Sequence, residues 1–437
     1  MKNNNMIRIS SLIFILCLSI GAYPQYTKSE RLLSFEGKDV LSSVQSLHSE
    51  TSISDAHYKD GESSLKWSFK PHAIIKINKN LSFEKKDSTG KDLYQSLFVI
   101  WVYNEKAMKD SITFQFCKDE KVCCYFPMNI NFHGWRAAWI IYERDMKGNP
   151  EIGMNGIRII GPNQKGVLYF DQLITSIKAD QRQQSPDLQV PFVNAKTNNH
   201  WLMIYKNSQR RLNLSTFQIT EQQINEMKLI EKRFIQDIYS PSILTNKRIE
   251  KLCNQFNSYH IIYNKGVIKG KSLFFTRNSE CYERMIPSWN KDMYIQAGSD
   301  LRKCFDLMKN IAVAYLDADK TTKWKSEFKR MFLTLYEHIT DQGVAYGSCL
   351  GTIHHYGYSF RNYYVSCFLM KDVLQEKGYL SGAEKAMNWY AQTKGIFEKP
   401  SVNGMDTDTF NTTTDGRLIS ILMMADNSDK VQYLHAY

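Results

Sequence analysis

From about Leu32 to Ile177 the apolar residues come in short runs rich in aromatic and β-branched side chains. "SLKWSF", "LFVIWVYN", "SITFQF", "WRAAWIIYE" and "VLYFDQLITSI" are such runs, separated by Gly, Asn, Asp and Lys. Runs of this kind bounded by turn formers predict strands, and a succession of them predicts an antiparallel β-sandwich. "DQRQQSPDLQVPF", residues 180 to 192, breaks the pattern with polar residues and two prolines, as a linker would. Beyond about Asn198 the period changes. "EQQINEMKLIEKRFIQDIY", "LRKCFDLMKNIAVAYL", "KWKSEFKRMFLTLYEHITDQG", "YYVSCFLMKDVLQEKG" and "GAEKAMNWYAQTKGIF" repeat apolar residues at intervals of three and four, the spacing of one helix face. Gly343 and Gly378 stand where C-terminal caps would stop helices. Helices joined by loops predict antiparallel hairpins and an all-α second domain. The expected boundaries are a leader over 1–22, a β-sandwich over 30–180, a linker over 181–197 and a helical domain over 198–437. The chain ends on "RLISILMMADNSDKVQYLHAY", an amphipathic pattern with no cap or polar tail, so the expectation is a helical domain cut short.

Composition refines this picture little. The 437 residues are enough for two or three domains, and 43% hydrophobic with 23% charged residues excludes a largely disordered chain. At the amino terminus Lys2 and Arg8 precede an apolar run from Ile9 to Ile20, then Gly21 and Ala22. That is the pattern of a secretory signal peptide, too short for a membrane span, and it predicts an exported, periplasmic or secreted protein. The net charge of +12 becomes 12 − 2 = +10 once Lys2 and Arg8 leave with the signal. An exported basic protein rarely meets nucleic acid, so the charge suits an anionic polymer or surface, although plain solubility accounts for it equally well. The nine cysteines show neither a disulfide framework nor a zinc ligand spacing.

Two groups of residues could carry chemistry. "GTIHHYGYSFRNYY", residues 351 to 364, sets His354 and His355 beside several aromatic rings and Arg361. Adjacent helical positions point about 100° apart, so the histidines are a poor metal pair. No G-x-S-x-G elbow occurs nearby. Flat rings with polar tips, together with a guanidinium fork, would suit the wall of a groove for an acidic sugar chain. Tyr363, Tyr364 and Phe368, at helical spacing, fit a packed core equally well. In the β-region Ser34 and Glu36 of "LLSFEG", Asp60 and Ser63 of "HYKDGESSLKW", and Asp171 of "VLYFDQLITS" are oxygen donors of the type a hard cation takes. They can converge only if the first and last strands are neighbours; otherwise they are surface groups.

"FVIWVYNEKAMKDSITFQF", "NFHGWRAAWI" and "DQGVAYGSCLGTIHHYGYSFRNYYVSCFLMKDVL" resemble segments of the broad-specificity chondroitin sulfate ABC lyases of polysaccharide lyase family 8, and the likeness runs from about residue 30 to the end. The resemblance implies an α+β multidomain fold, with an N-terminal β-sandwich of jelly-roll type and then an incomplete α/α toroid of helical hairpins. It implies a structural divalent cation, calcium by family, at positions matching Ser34, Glu36, Asp60, Ser63 and Asp171. It places His354, His355, Tyr358, Arg361, Tyr364 and Asn411 of "FNTTTDG" in the wall that meets a sulfated glycosaminoglycan. Where the family has tryptophans this chain has Asn362 and Tyr363, which puts the stacking roles there in doubt. The implied reaction is β-elimination at a uronic acid by a His, Tyr, Arg and Glu set. Those residues belong to later segments, one of the form R-H-E-G-N-Y-P-G-Y, that do not occur in this sequence. The implied catalytic set therefore lies beyond Tyr437, and a monomer that binds without cleaving is the alternative.

Overall fold

The computed structural model describes residues 31–59, 61–85, 95–179, 220–264, 267–273, 300–342, 356–380, 382–383, 418–419 and 421–423. The leader (1–22), the linker (181–197) and the helical pattern after residue 383 lie outside the described residues, apart from two short stretches near 420.

Residues 31–179 form one curled antiparallel sheet of ten strands: β1 Leu32–Leu33, β2 Val44–Ser54, β3 Ser64–Asn78, β4 Gln95–Asn104, β5 Ser111–Lys118, β6 Lys121–Asn129, β7 Gly134–Ile141, β8 Lys147–Gly148, β9 Gly156–Ile160 and β10 Gly166–Ala179. Their order is β7-β4-β10-β3-β9-β5-β6-β8, with β1 added to β10 and β2 to β3. The curl follows from strands that change partner along their length. The stretch of β3 at 65–69 pairs with β10, whereas Ile74–Asn78 pairs with β9. His72, at φ 63°, lies between the two stretches. The interior of the curl is aromatic: Phe98, Phe114, Phe116 and Phe126 meet there, with Phe114 stacked on Phe126 at 4.8 Å between ring centres.

β4 explains why "LFVIWVYN" reads as an unbroken apolar run and not as an alternation. Phe98, Ile100 and Val102 point into the curl, while Leu97, Val99, Trp101 and Tyr103 point outward into a second core shared with the helices. A strand covered on both faces needs apolar residues at every position. "SITFQF" in β5 does alternate, because Ile112, Phe114 and Phe116 alone face the interior.

After the sheet region the helices are α1 Glu221–Ile238, α2 Asn246–Asn257, α3 Asp300–Asp317, α4 Lys323–Asp341, α5 Tyr356–Leu369 and α6 Lys371–Glu376, with a hairpin β11 Ile262–Asn264 and β12 Val267–Lys269 between α2 and α3. α1 begins with a capping box, Thr220 and Gln223 each satisfying the other's backbone N–H. α3 packs against α4 and α5, burying Phe305, Met308 and Ile311 against Phe328, Phe332 and Tyr363. Gly378, at φ 75°, ends α6 as expected, with Tyr379 N–H donating to Leu374 O at 2.8 Å. The expected single helix over 363–378 breaks at Met370, where the backbone leaves helical geometry. The β-rich first part with helices after it agrees with the hydropathy pattern. The pattern does not mark β2, β6 or α2, because β2 is a largely polar strand paired only with β3, β6 contains Pro127, and α2 has just Ile249, Leu252 and Phe256 on its buried face.

Candidate functional site

The first and last strands are neighbours: Leu32 and Leu33 of β1 pair with Ile174 and Leu173 of β10. That register brings the segment after β1 toward Asp171, which sits at a register shift in β10. The Glu36 carboxylate accepts from Glu62 N–H at 3.2 Å and from the Ser63 hydroxyl at 3.0 Å, and the same hydroxyl lies 3.1 Å from Phe35 O. Gly61, at φ +71°, makes room for it, since a Cβ there would come within 2.0 Å of Glu36 Oε1. Asp171 is fully buried and accepts from Lys59 N–H at 2.6 Å and from Gln172 N–H at 2.7 Å. Ser34 is half-buried two residues before Glu36, and Asp60 lies outside the described residues. Among the described residues no three His, Cys, Asp or Glu side chains converge as a metal cluster. Around Gly61 to Ser63 the Glu36 carboxylate is met by the Glu62 and Ser63 N–H groups and by the Ser63 hydroxyl, so its oxygens are already engaged by donors.

Of the six residues expected to line a groove, His354, His355 and Asn411 lie outside the described residues, and Tyr358 falls on α5. Arg361 is exposed on α5, whereas Tyr364, with 2% of its surface accessible, packs in the helical core. Tyr363 and Phe368 are buried beside it, so the packing alternative for this aromatic stretch accounts for all three. Asn362 donates to Asp306 on α3, fixing α5 against that helix.

A third constellation joins the sheet to the helices. Lys59 is wholly buried; its ammonium donates to Leu273 O and Gln342 O, each at 2.7 Å, and to Gln342 Oε1 at 3.0 Å, and lies 4.1 Å above the Trp101 ring. The Tyr103 hydroxyl donates to Asp341 Oδ1 at 2.6 Å. His57 stacks on Tyr103 at 3.8 Å, and His338 Nε2 donates to Lys271 O at 2.8 Å. Burial pushes the Asp341 carboxyl up to about 7 and lowers His57 and His338 to about 4. Gly134 at the start of β7 has φ +87°, and a Cβ there would stand 2.6 Å from Asp341 O, so only glycine lets strand and helix end approach this closely. The outward aromatic face of the sheet, Trp101, Tyr103, Trp135 and Tyr169, is thus covered and is not open to a sugar ring.

None of these joint residues was marked by spacing or period. Lys59, Asp341 and Gln342 are polar residues next to turns, where the default expectation is solvent. The signal lay in the quoted segments themselves: "WVYNEK" carries Tyr103, "GWRA" begins with Gly134, and "DQG" begins with Asp341, and the fold brings all three to one place.

Comparison with known proteins accords with this arrangement. Residues 29–192 match a family model described as "Lyase, N terminal" and residues 214–437 one described as "Lyase, catalytic". A chondroitin sulfate ABC exolyase of Bacteroides thetaiotaomicron is 51% identical over 413 residues, 94% of this chain and 41% of that protein. An exolyase of the same description from Proteus vulgaris is 29% identical over 92% of this chain and 41% of its own length. A chondroitin sulfate ABC endolyase from the same organism is 26% identical over 88% of this chain and 40% of its own length. The chain spans about two-fifths of the length of these curated relatives. With its catalytic-domain match covering residues 214–437 and its N-terminal match the sheet before it, the chain belongs to this family of lyases and is similar to the chondroitin sulfate ABC lyases.

Proposed function

We propose that this chain forms the β-rich wall and the first helical part of an exported glycosaminoglycan lyase that cleaves chondroitin or dermatan sulfate by β-elimination at a uronic acid. The observation that carries it is the 51% identity, over 94% of the chain, to a protein described as a chondroitin sulfate ABC exolyase. The C5 proton of a uronate is poorly acidic, so elimination needs the carboxylate neutralised, a base for the proton and an acid for the departing O4. Arg361, exposed on α5, supplies a guanidinium for a carboxylate or sulfate. His354, His355, Tyr358 and Asn411 complete the groove wall with it, while Tyr364 supports that wall from the core. In this reading the curled sheet is a jelly roll, the helices belong to an α/α toroid, and the boundaries are those expected from the hydropathy pattern. Residues 1–22 direct export, and the protein acts as a monomer. Ser34, Glu36, Asp60, Ser63 and Asp171 would hold a divalent cation, calcium by the oxygen chemistry, which fixes the loop before β3 and takes no part in bond breaking.

No segment of the form R-H-E-G-N-Y-P-G-Y occurs in the sequence. A second, narrower reading is that these 437 residues hold an acidic polysaccharide without cleaving it, a role their net charge of +12 would suit. Two measurements test the pair of readings. On immobilised chondroitin sulfate the chain is retained at low salt and released steeply as salt rises. Arg361→Ala weakens binding about tenfold, about 1.4 kcal/mol, and passing through unretained would overturn the substrate class. In solution the chain alone yields no unsaturated product by ultraviolet absorbance; robust turnover would overturn the binding-only role and leave the lyase reading standing.

A further inference from the structure

We propose that a row of residues across the outer face of β2, β3, β9, β5, β6 and β8 is a second binding surface for the acidic glycan, capped at its centre by the chain's own Glu120. The proposal rests on the acidic-polysaccharide reading above and adds to it a second place of contact.

Strand register builds the row. Gln45 lies opposite Lys76, Lys76 opposite Arg158, Arg158 opposite Gln115, Gln115 opposite Tyr125, and Tyr125 opposite Lys147. Directly opposed residues stand on the same side of a sheet. Their strand neighbours Ile75, Ile77, Ile157, Ile159, Phe114 and Phe116 are buried in the curl, so the row faces outward. At about 4.8 Å between strands the six positions run about 24 Å, room for several sugar units in line. Two cations, Lys76 and Arg158, stand side by side at the centre, although like charges directly opposite one another are destabilising. A carboxylate relieves them: Glu120 Oε2 accepts from Lys76 Nζ at 2.8 Å and from an Arg158 amino group at 3.0 Å. Glu120 comes from the two-residue turn between β5 and β6, where Asp119 at φ 49° and Glu120 at φ 65° both hold the left-handed conformation. The carboxylate is 67% exposed, and an exposed ion pair holds weakly, so another anion can take its place. A uronate carboxylate or a sulfate brings the same charge and the same acceptor oxygens to the Arg158 guanidinium. Along the rest of the row Gln45 and Gln115 offer amides to hydroxyls, the exposed Tyr125 ring offers a flat apolar face, and Lys147 adds a positive charge at the end. Charge and shape together commit this face to an anionic sugar chain.

Affinity of the full chain for chondroitin sulfate across a salt series, with the unfolding midpoint of each variant measured beside it, tests this. Lys76→Ala combined with Arg158→Ala is expected to weaken binding about tenfold and to lower the salt dependence by about two counterions. The control pair Lys228→Ala with Lys232→Ala, equal in charge and exposed on α1, changes affinity by at most about twofold. Tyr125→Ala, which alters no charge, weakens binding about threefold. Glu120→Gln strengthens it about threefold, the scale of one exposed ion pair. Equal losses from the two cation pairs, or a Tyr125→Ala or Glu120→Gln chain that binds as the unaltered one does, reduce the row to unspecific charge and overturn the proposal. Full binding by the Lys76→Ala, Arg158→Ala chain while Arg361→Ala still weakens it overturns the row and spares the groove. An unaltered chain that does not bind at low salt overturns the substrate class and the row together, which tells that failure from the other.

Discussion

The two halves of the curled sheet differ in what lies outside them. β4, β7 and the first part of β10 carry apolar residues on both faces, one set turned into the curl and the other buried against helices. β5, β6 and β9 bury one face only, and their other face presents Thr113, Gln115, Arg158 and Lys121 at or near solvent. The first half is a wall between two cores, whereas the second is the outer skin of one. Buried polar groups follow the same division. Lys59, Asp341, His338 and His57 gather on the covered side, where each must find a partner, while Lys76, Glu120 and Arg158 form an exposed cluster on the open side. Strand pairing is alike in both halves; what differs is the number of neighbours a side chain has to satisfy.

The sharpest way to break the comparison is to empty the wall. Trp101→Ala removes a ring held on the helix side, and the expected loss is about 3–5 kcal/mol in denaturant unfolding. The second test is acidity. His57 and His338, lowered to about 4 in the folded chain against 6.5 unfolded, bind fewer protons when folded, so each makes stability fall as pH drops from 6.5 toward 4. Asp341, raised from 3.8 to about 7, holds a proton in the folded state that the unfolded chain releases, and so acts in the opposite sense over that window. His133, also lowered by burial, joins the two histidines, so together they outweigh the one carboxyl and acidification from 6.5 toward 4 is a net loss of stability, readable as a falling unfolding midpoint. Asp341→Asn steepens that slope and His338→Gln flattens it, provided each variant retains the native circular dichroism. Next comes Gly134→Ala, which meets Asp341 O at 2.6 Å in a left-handed backbone and is expected to cost about 1–3 kcal/mol. Gly37→Ala has the same backbone sign with open space around it and isolates the part of that cost due to the approach of the helix end. The smallest effect belongs to the open half: Gln115→Ala should change stability by no more than about 0.5 kcal/mol. Parity between Gln115→Ala and Trp101→Ala would mean that the helices do not cover β4 in solution.

Much of the architecture was legible in the order of residues because periodicity records burial directly. Alternation in "SITFQF" marks a strand with one covered face, and three- and four-residue spacing in "KWKSEFKRMFLTLYEHITD" marks α4. The continuous run in β4 announced two covered faces, though not what covers the second. The candidate cation residues could be named but not assembled, since Glu36 and Asp171 are 135 positions apart and meet one loop only because β1 pairs with β10. Local order along the chain thus decided the strands, the helices and their buried faces, because each depends on neighbours a few positions away. Tertiary structure alone decided that Lys59 is buried against the carbonyls of Leu273 and Gln342, that Tyr364 is core, and that Asp341 meets Tyr103, because the fate of a polar side chain depends on which distant backbone arrives to receive it.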